Sequence, residues 1–251
     1  MAENKYERFR RLTFSDFRQR AADASMSCYE KIGFPDSCRG GKESLILRDI
    51  IDKMSNLNKR NRLVLDIGPG CSPLPLKLIE VCRQNGHQVI LIDSEEMLRH
   101  IPDEPFIHKI PGRFPECVSF LDGYAKRVDA ILVYSVLHHV YLEANYVDFL
   151  DNALALLAEG GEMLIGDIPN ISKRRRFLSS ARGIKYHREL TGEDADPKVE
   201  FNTIPRSEID DAVIISVLLR CRNAGFDAYV VPQQEGLPMA NRREDILVRR
   251  P

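Results

Sequence analysis

The sequence has little that would tie it to a metal, a membrane or a nucleic acid. Its six cysteines (28, 38, 71, 82, 117 and 221) include no CxxC pair and no Cys/His cluster at zinc spacing, which argues against a metal site. Scattered in this way they read as reduced, mostly buried small hydrophobes of a cytoplasmic protein. No apolar stretch approaches the roughly 20 residues needed to span a bilayer. Residues 1–20 are highly charged and lack the apolar core of a secretory signal. A net charge of -1 gives no general pull toward nucleic acid or anionic lipid, so neither is expected as a partner. Internal repeats and low-complexity tracts are also missing.

What remains is an ordinary globular composition, 43% hydrophobic over 251 residues, enough for one sizeable domain with a modest appendage. From residue 62 onward, strand and helix patterns alternate. Apolar runs at Arg62–Asp66, Gln88–Asp93, Phe106–Ile110, Val128–Tyr134 and Glu162–Ile165 read as strands, with Ala228–Val231 and Asp245–Val248 as two more. Several are too continuously apolar for half-exposed edges, the mark of a sheet covered on both faces. Between them, helical patterns occupy 73–85, with Ser72 as cap and Pro73 at the first position, then 95–101, 141–157 and 209–223. The rhythm predicts a doubly wound α/β domain over 61–251. Two regions fall outside it. Residues 1–60 are helical in pattern and read as a cap or lid. Residues 170–208 read as a long, polar, irregular insertion on the substrate side.

The most informative stretch is Leu63-Val64-Leu65-Asp66-Ile67-Gly68-Pro69-Gly70-Cys71-Ser72-Pro73, a strand, a glycine turn and a helix start. A dinucleotide site needs a third glycine for close helix–strand packing, and Pro73 stands there instead. Asp66 at the strand end would repel a phosphate but suits a ligand carrying an amino group.

In these residues the chain resembles the class I S-adenosylmethionine-dependent methyltransferases. Asp66-Ile67-Gly68-Pro69-Gly70 is similar to their DxGxG motif, and Asp93 stands where they place the acid that holds both ribose hydroxyls. Tyr134-Ser135-Val136-Leu137-His138-His139 resembles their fourth-strand motif, and Glu159-Gly160-Gly161-Glu162-Met163-Leu164-Ile165 the turn and strand after it. The resemblance implies a seven-stranded, mostly parallel sheet of order 3-2-1-4-5-7-6 with a reversed terminal hairpin. It implies S-adenosylmethionine as cofactor, held by Asp66, Gly68, Pro69, Gly70, Asp93, Ser94, Met97, Gly112, Arg113, Phe114, Tyr134 and Ser135. The segment Lys109–Phe114 lacks the acid that often meets the adenine amino group, so adenine recognition falls to backbone groups and Phe114. Cys71 and Ser72 replace a frequent third small residue.

His138 and His139, at the end of the fourth strand, are the candidate bases, because a hydroxyl acceptor benefits from one and neutral histidine can accept a proton. The plainer alternative is a hydrogen-bonded histidine that shapes the turn. Substrate candidates are Tyr29, in a polar-aromatic lid segment around 27–43, then Asp167, Arg174, His187 and Arg242. That N-terminal segment is similar to those of methyltransferases encoded with bacterial surface-polysaccharide or secondary-metabolite enzymes. The runs Lys173–Arg176 and Arg242-Arg243 are either solvated faces or contacts for a phosphorylated or nucleotide-linked substrate. The expectation is methyl transfer to oxygen of a small polar metabolite, as a monomer or homodimer. Alternatives are a nitrogen acceptor, a non-catalytic methyltransferase-like subunit, and a NAD-dependent oxidoreductase.

Overall fold

A computed structural model of the chain describes residues 11–203 and 207–251, so the first ten residues of the charged N-terminal stretch lie outside it. The strands are β1 (Leu63–Ile67), β2 (Gln88–Asp93), β3 (Ile107–Pro111), β4 (Val128–Tyr134), β5 (Leu157–Pro169), β6 (Asp227–Val231) and β7 (Arg243–Arg249). Ahead of the sheet come α1 (Phe14–Ala22), α2 (Cys28–Lys31), α3 (Asp36–Arg39) and α4 (Glu43–Lys53). Within it are α5 (Pro73–Asn85), α6 (Glu95–Leu98), α7 (Leu137–Glu143), α8 (Tyr146–Leu156), α9 (Ile171–Leu178), α10 (Ala181–Thr191) and α11 (Asp211–Asn223).

The described strands form one seven-stranded sheet in the order β3-β2-β1-β4-β5-β7-β6. All pairs are parallel except those of β7 with β5 and with β6. Successive strand residues point to opposite faces, and each central strand here is apolar on both. Val64, Leu132 and Leu164 join one core, with Ile46 and Ile50 of α4 and Leu74 and Leu78 of α5. Leu65, Val133 and Ile165 join the other, with Phe149 and Leu150 of α8 and Ile214 and Val217 of α11. Since β1 lies between β2 and β4, the connections leaving β1 and β4 diverge and open a crevice beyond the strands' carboxyl ends.

The helical N-terminal region reaches both ends of the sheet. At the amino ends, Asn56 donates through Nδ2 to the carbonyls of Asp129 (2.8 Å) and Gly160 (3.0 Å), while its amide donates to Glu162 (2.9 Å). At the carboxyl ends, α1 starts in a capping box of Thr13 and Asp16. Arg18 pairs with Glu96 at 2.8 Å, and His100 Nε2 donates to Ala21 O at 2.9 Å.

Three local expectations are corrected. The helix expected over 141–157 is two helices, because Asn145 caps a new one by accepting from Val147 N at 3.0 Å. Its second half yields at Leu157 to β5, which runs straight through Gly160-Gly161. The stretch 170–208 is helical in its first half, where Asn170 caps α9, Ser180 caps α10 and Gly192 closes α10 in the left-handed conformation, and is irregular over 193–203. Ser72 occupies the cap position of α5 but makes no capping bond; it is buried and lines the crevice. All six cysteines are free, with Cys82, Cys117 and Cys221 buried and the others half-buried.

Asn56→Ala removes a buried side chain that donates to two part-buried carbonyls and is expected to lower the unfolding free energy by about 1–3 kcal/mol. Urea denaturation of the two proteins measures it, and a change within error would mean that the carbonyls find other donors.

Candidate functional site

Asp66, the fourth residue of β1, is 3% exposed, and no hydrogen bond reaches its carboxylate among the described residues. Burial, then the nearby Asp93, pushes its pKa up to about 8. The chain then turns through Gly68 and Gly70, both in the left-handed region at φ 74° and 67°. Glycine is the residue that adopts this region without steric cost. Gly68 N donates to Ile92 O at 2.8 Å and ties the turn to β2. Gly70 N donates to Asp93 Oδ2 at 2.9 Å, while Ser94 N donates to Oδ1 at 2.7 Å. Burial raises Asp93 to about 6, opposed by those two amides.

The turn, Asp93 and the end of β4 line a crevice that is open to solvent. Every residue expected to hold the cofactor lines it except Ser94, which is buried and caps α6 through Met97 N at 3.2 Å. Phe114 packs edge-on against Phe149, with ring centroids 5.1 Å apart. Arg113 lies 3.4 Å from Glu143, whose carboxylate also accepts from Phe14 N at 3.0 Å. Phe14, Phe17, Ile32 and Phe34 of the N-terminal region form the outer wall.

His139 lines the crevice and His138 does not. The two rings lie 3.9 Å apart, and Phe17 meets His139 edge-on at 4.7 Å. Neither Nδ1 has a partner. Burial depresses His139 to about 4 and His138 well below its ordinary value, the latter helped by His139, Arg243 and Arg39. Both are therefore neutral near pH 7.

Beyond the crevice floor lies a buried charged cluster that sequence reasoning missed in part. Ser135 and Asp167, at the ends of adjacent strands, both take positive φ, 62° and 56°. The Asp167 carboxylate accepts from Arg39 and from the Ser135 hydroxyl, and Arg39 also donates to Ser135. Arg243 donates to Asp167 O at 3.0 Å, and Asp167 N donates to Asp245 Oδ1 at 2.7 Å. Asp245 is further held by Lys53 (2.7 Å) and Gln233 (2.9 Å), and Lys53 also pairs with Asp49. The available signal was Asp245 and Arg243 in an otherwise apolar strand pattern. Nothing local marked Arg39, Lys53 or Gln233.

The other substrate candidates lie elsewhere. The Tyr29 hydroxyl donates to buried Glu43, outside the crevice wall, and burial with that carboxylate raises Tyr29 to about 12. Arg174 on α9 and His187 on α10 are half-buried and line neither the crevice nor the cleft beside these helices. Arg242 lines that second cleft and donates to Tyr186 Oη at 2.7 Å. Among the described residues, no cluster of three or more His, Cys, Asp or Glu is placed to hold a metal ion. No described helix is long and apolar enough to cross a membrane.

Residues 41–191 match the family model described as "Methyltransferase domain". No curated protein matches the sequence significantly. Solved structures similar in fold include the plantazolicin methyltransferase BpumL in complex with a triazolic desmethylPZN analog and SAH (TM-score 0.57, 13% identity, 94% of this chain and 98% of that one). A SAM-dependent methyltransferase from Aquifex aeolicus is similar at TM-score 0.53 and 15% identity, over 89% of this chain and 97% of that one. The CurJ carbon methyltransferase aligns at TM-score 0.53 and 18% identity over 83% of this chain, which spans only 54% of its length.

The raised Asp66 makes a stability prediction. Its contribution is fully present below the unfolded value of 3.8 and is lost as pH rises, levelling off above about 8. Asp66→Asn removes that loss, so thermal unfolding of the ligand-free protein should fall less steeply with pH in the variant than in the wild type. Parallel curves would show that Asp66 ionises freely in the folded state.

Proposed function

As the chain belongs to the methyltransferase-domain family, whose methyl donor is S-adenosylmethionine, we propose that it methylates a hydroxyl of a small polar metabolite. The observation that carries the cofactor half is the unpartnered, buried Asp66 beside a glycine turn whose second amide is tied to Asp93. A buried carboxylate without a donor is costly until a cation or donor meets it. In this reading Asp66 receives the donor's ammonium group, and Asp93 accepts from the ribose hydroxyls. Met97 and Phe114 flank the adenine, and the backbone at Tyr134-Ser135 borders the methionine part. The sulfonium supplies an activated methyl group, so the chain's own work is to align the acceptor and exclude water.

The aromatic outer wall of Phe14, Phe17 and Phe34 supports a small acceptor, since it narrows the approach to the crevice. His139, neutral and lining the crevice, is the residue we assign to take the acceptor's proton, with the His138 ring beside it at 3.9 Å and tilted by 42°. Its depressed pKa of about 4 makes it a weak base, which favours as second reading an amine acceptor that reacts through its own lone pair.

Calorimetric titration separates this reading from a dinucleotide enzyme: SAH is expected to bind and NAD is not. Asp93→Ala should weaken SAH by about tenfold or more, from the loss of charge-assisted bonds worth roughly 1.5–3 kcal/mol each. Binding of NAD alone would overturn the cofactor assignment. Transfer of labelled methyl from the donor into a panel of hydroxyl and amine metabolites then tests the acceptor. For a hydroxyl, His139→Ala should cut kcat by about 100-fold or more; an unchanged kcat on the methylated compound assigns the amine reading. Binding of SAH with no transfer to either class would make the chain a cofactor-binding subunit.

A further inference from the structure

A second cleft lies between α9, α10 and residues 233–242, and it shares no wall residue with the cofactor crevice. Lys173, Arg176, Arg182, Lys185 and Arg242 line it against only Glu189 and Glu235. Three of the cations are matched: Arg176 by Asp211, Arg182 by Glu235 and Lys185 by Glu189. Lys173 and Arg242 form no ion pair among the described residues. Lys173 Nζ donates to the Arg243 carbonyl at 2.6 Å, and Arg242 donates to the Tyr186 hydroxyl at 2.7 Å and Asn241 Oδ1 at 3.1 Å. Those bonds hold the two side chains in place, and the Glu244 and Asp245 carboxylates attract Lys173 from beyond ion-pair distance.

Gln233 adds an acceptor to this wall. Only 8% exposed, it turns Nε2 to Asp245 and leaves Oε1 with no partner. A buried amide oxygen of this kind calls for a hydroxyl or N–H donor from a ligand. Phe177 and Tyr186, edge to face at 5.6 Å, supply an apolar surface beside it. Two cations without a direct ion pair and one orphan acceptor together match a ligand that carries both phosphate and hydroxyl groups. Between the cleft and the crevice stand the hydrogen-bonded Gln233, Asp245, Asp167 and Ser135, of which Gln233 lines the cleft and Ser135 the crevice.

We propose that this cleft is the subsite for the phosphate-bearing end of the acceptor, a phosphorylated sugar either free or linked to a nucleotide. The proposal rests on the methyl-transfer reading of the neighbouring crevice and names the substrate class for it. Lys173 and Arg242 hold the phosphate, and Gln233 accepts from a sugar hydroxyl.

Glucose 1-phosphate, UDP-glucose and glucose are titrated calorimetrically into the full chain, with and without SAH. At least one of the two phosphorylated probes is expected to bind, and glucose is not. Tighter binding of UDP-glucose assigns the nucleotide-linked source, and equal affinity assigns the free phosphate. Lys173→Gln with Arg242→Gln should weaken the bound probe by about tenfold or more while SAH affinity stays at the wild-type value, which also reports that the variant is folded. Lys185→Glu, on the exposed face of α10, should weaken the probe in the same direction without disturbing a buried contact. The proposal is overturned if neither phosphorylated probe binds, or if all variants bind it as the wild type does. Phosphate binding without SAH binding would leave the cleft standing and remove the cofactor reading instead.

Discussion

Asp167 commits its carboxylate, its amide and its carbonyl to three different parts of the chain, and the carboxyl edge of the sheet is assembled around it. The carboxylate joins the end of β4 through Ser135 and the N-terminal region through Arg39. The amide and carbonyl join β7 through Asp245 and Arg243. Lys53, at the end of α4, brings a third cation to the same junction, and Asp49 a third carboxylate. The formal charges of these six side chains cancel. Burying them is costly, because desolvation of an ion pair can exceed its Coulombic attraction. Deleting one partner is costlier still, about 3–5 kcal/mol for a buried pair. Such a junction adds little net stability over a hydrophobic plug but holds the N-terminal region in one register against the sheet.

The crevice depends on that register. Its floor is local, built by a strand end, a glycine turn and the neighbouring strand end. Its outer wall comes from residues 14–34, more than thirty positions upstream of Asp66 in the sequence. Arg39 lies over Phe34 at 3.9 Å and within 5.7 Å of Tyr134, so the junction and the wall share side chains. The same side chains that neutralise Asp167 thus shape the space in which a ligand would lie.

What could be read in the sequence was whatever has a local cause. The doubly wound class follows from apolar runs with helices between them, the strand order is what the family resemblance implied, and Asp66, Gly68, Gly70 and Asp93 meet because adjacent parallel strands end together. The long helix over 141–157 was misread because Asn145, a strong cap, sits inside an unbroken apolar periodicity. The helices α9 and α10 were hidden because α9 buries none of its residues and its charges mask its pattern. Their caps, Asn170 and Ser180, were visible but carried no weight without a hydrophobic face. Arg39 was illegible for a different reason: its partner lies 128 residues away, and no periodicity spans that distance.

The glycine turn also meets the N-terminal region directly. A Cβ built on Gly70 would lie 2.6 Å from Ile32 Cγ2, and the backbone there sits at φ 67°. The position is therefore closed to side chains from two directions at once, by its own conformation and by a residue thirty-eight positions earlier. Relaxing the second restraint by trimming Ile32 would leave the first intact, so the pair forms a one-way dependency. Trimming position 32 removes the contact, yet the backbone at position 70 still favours glycine.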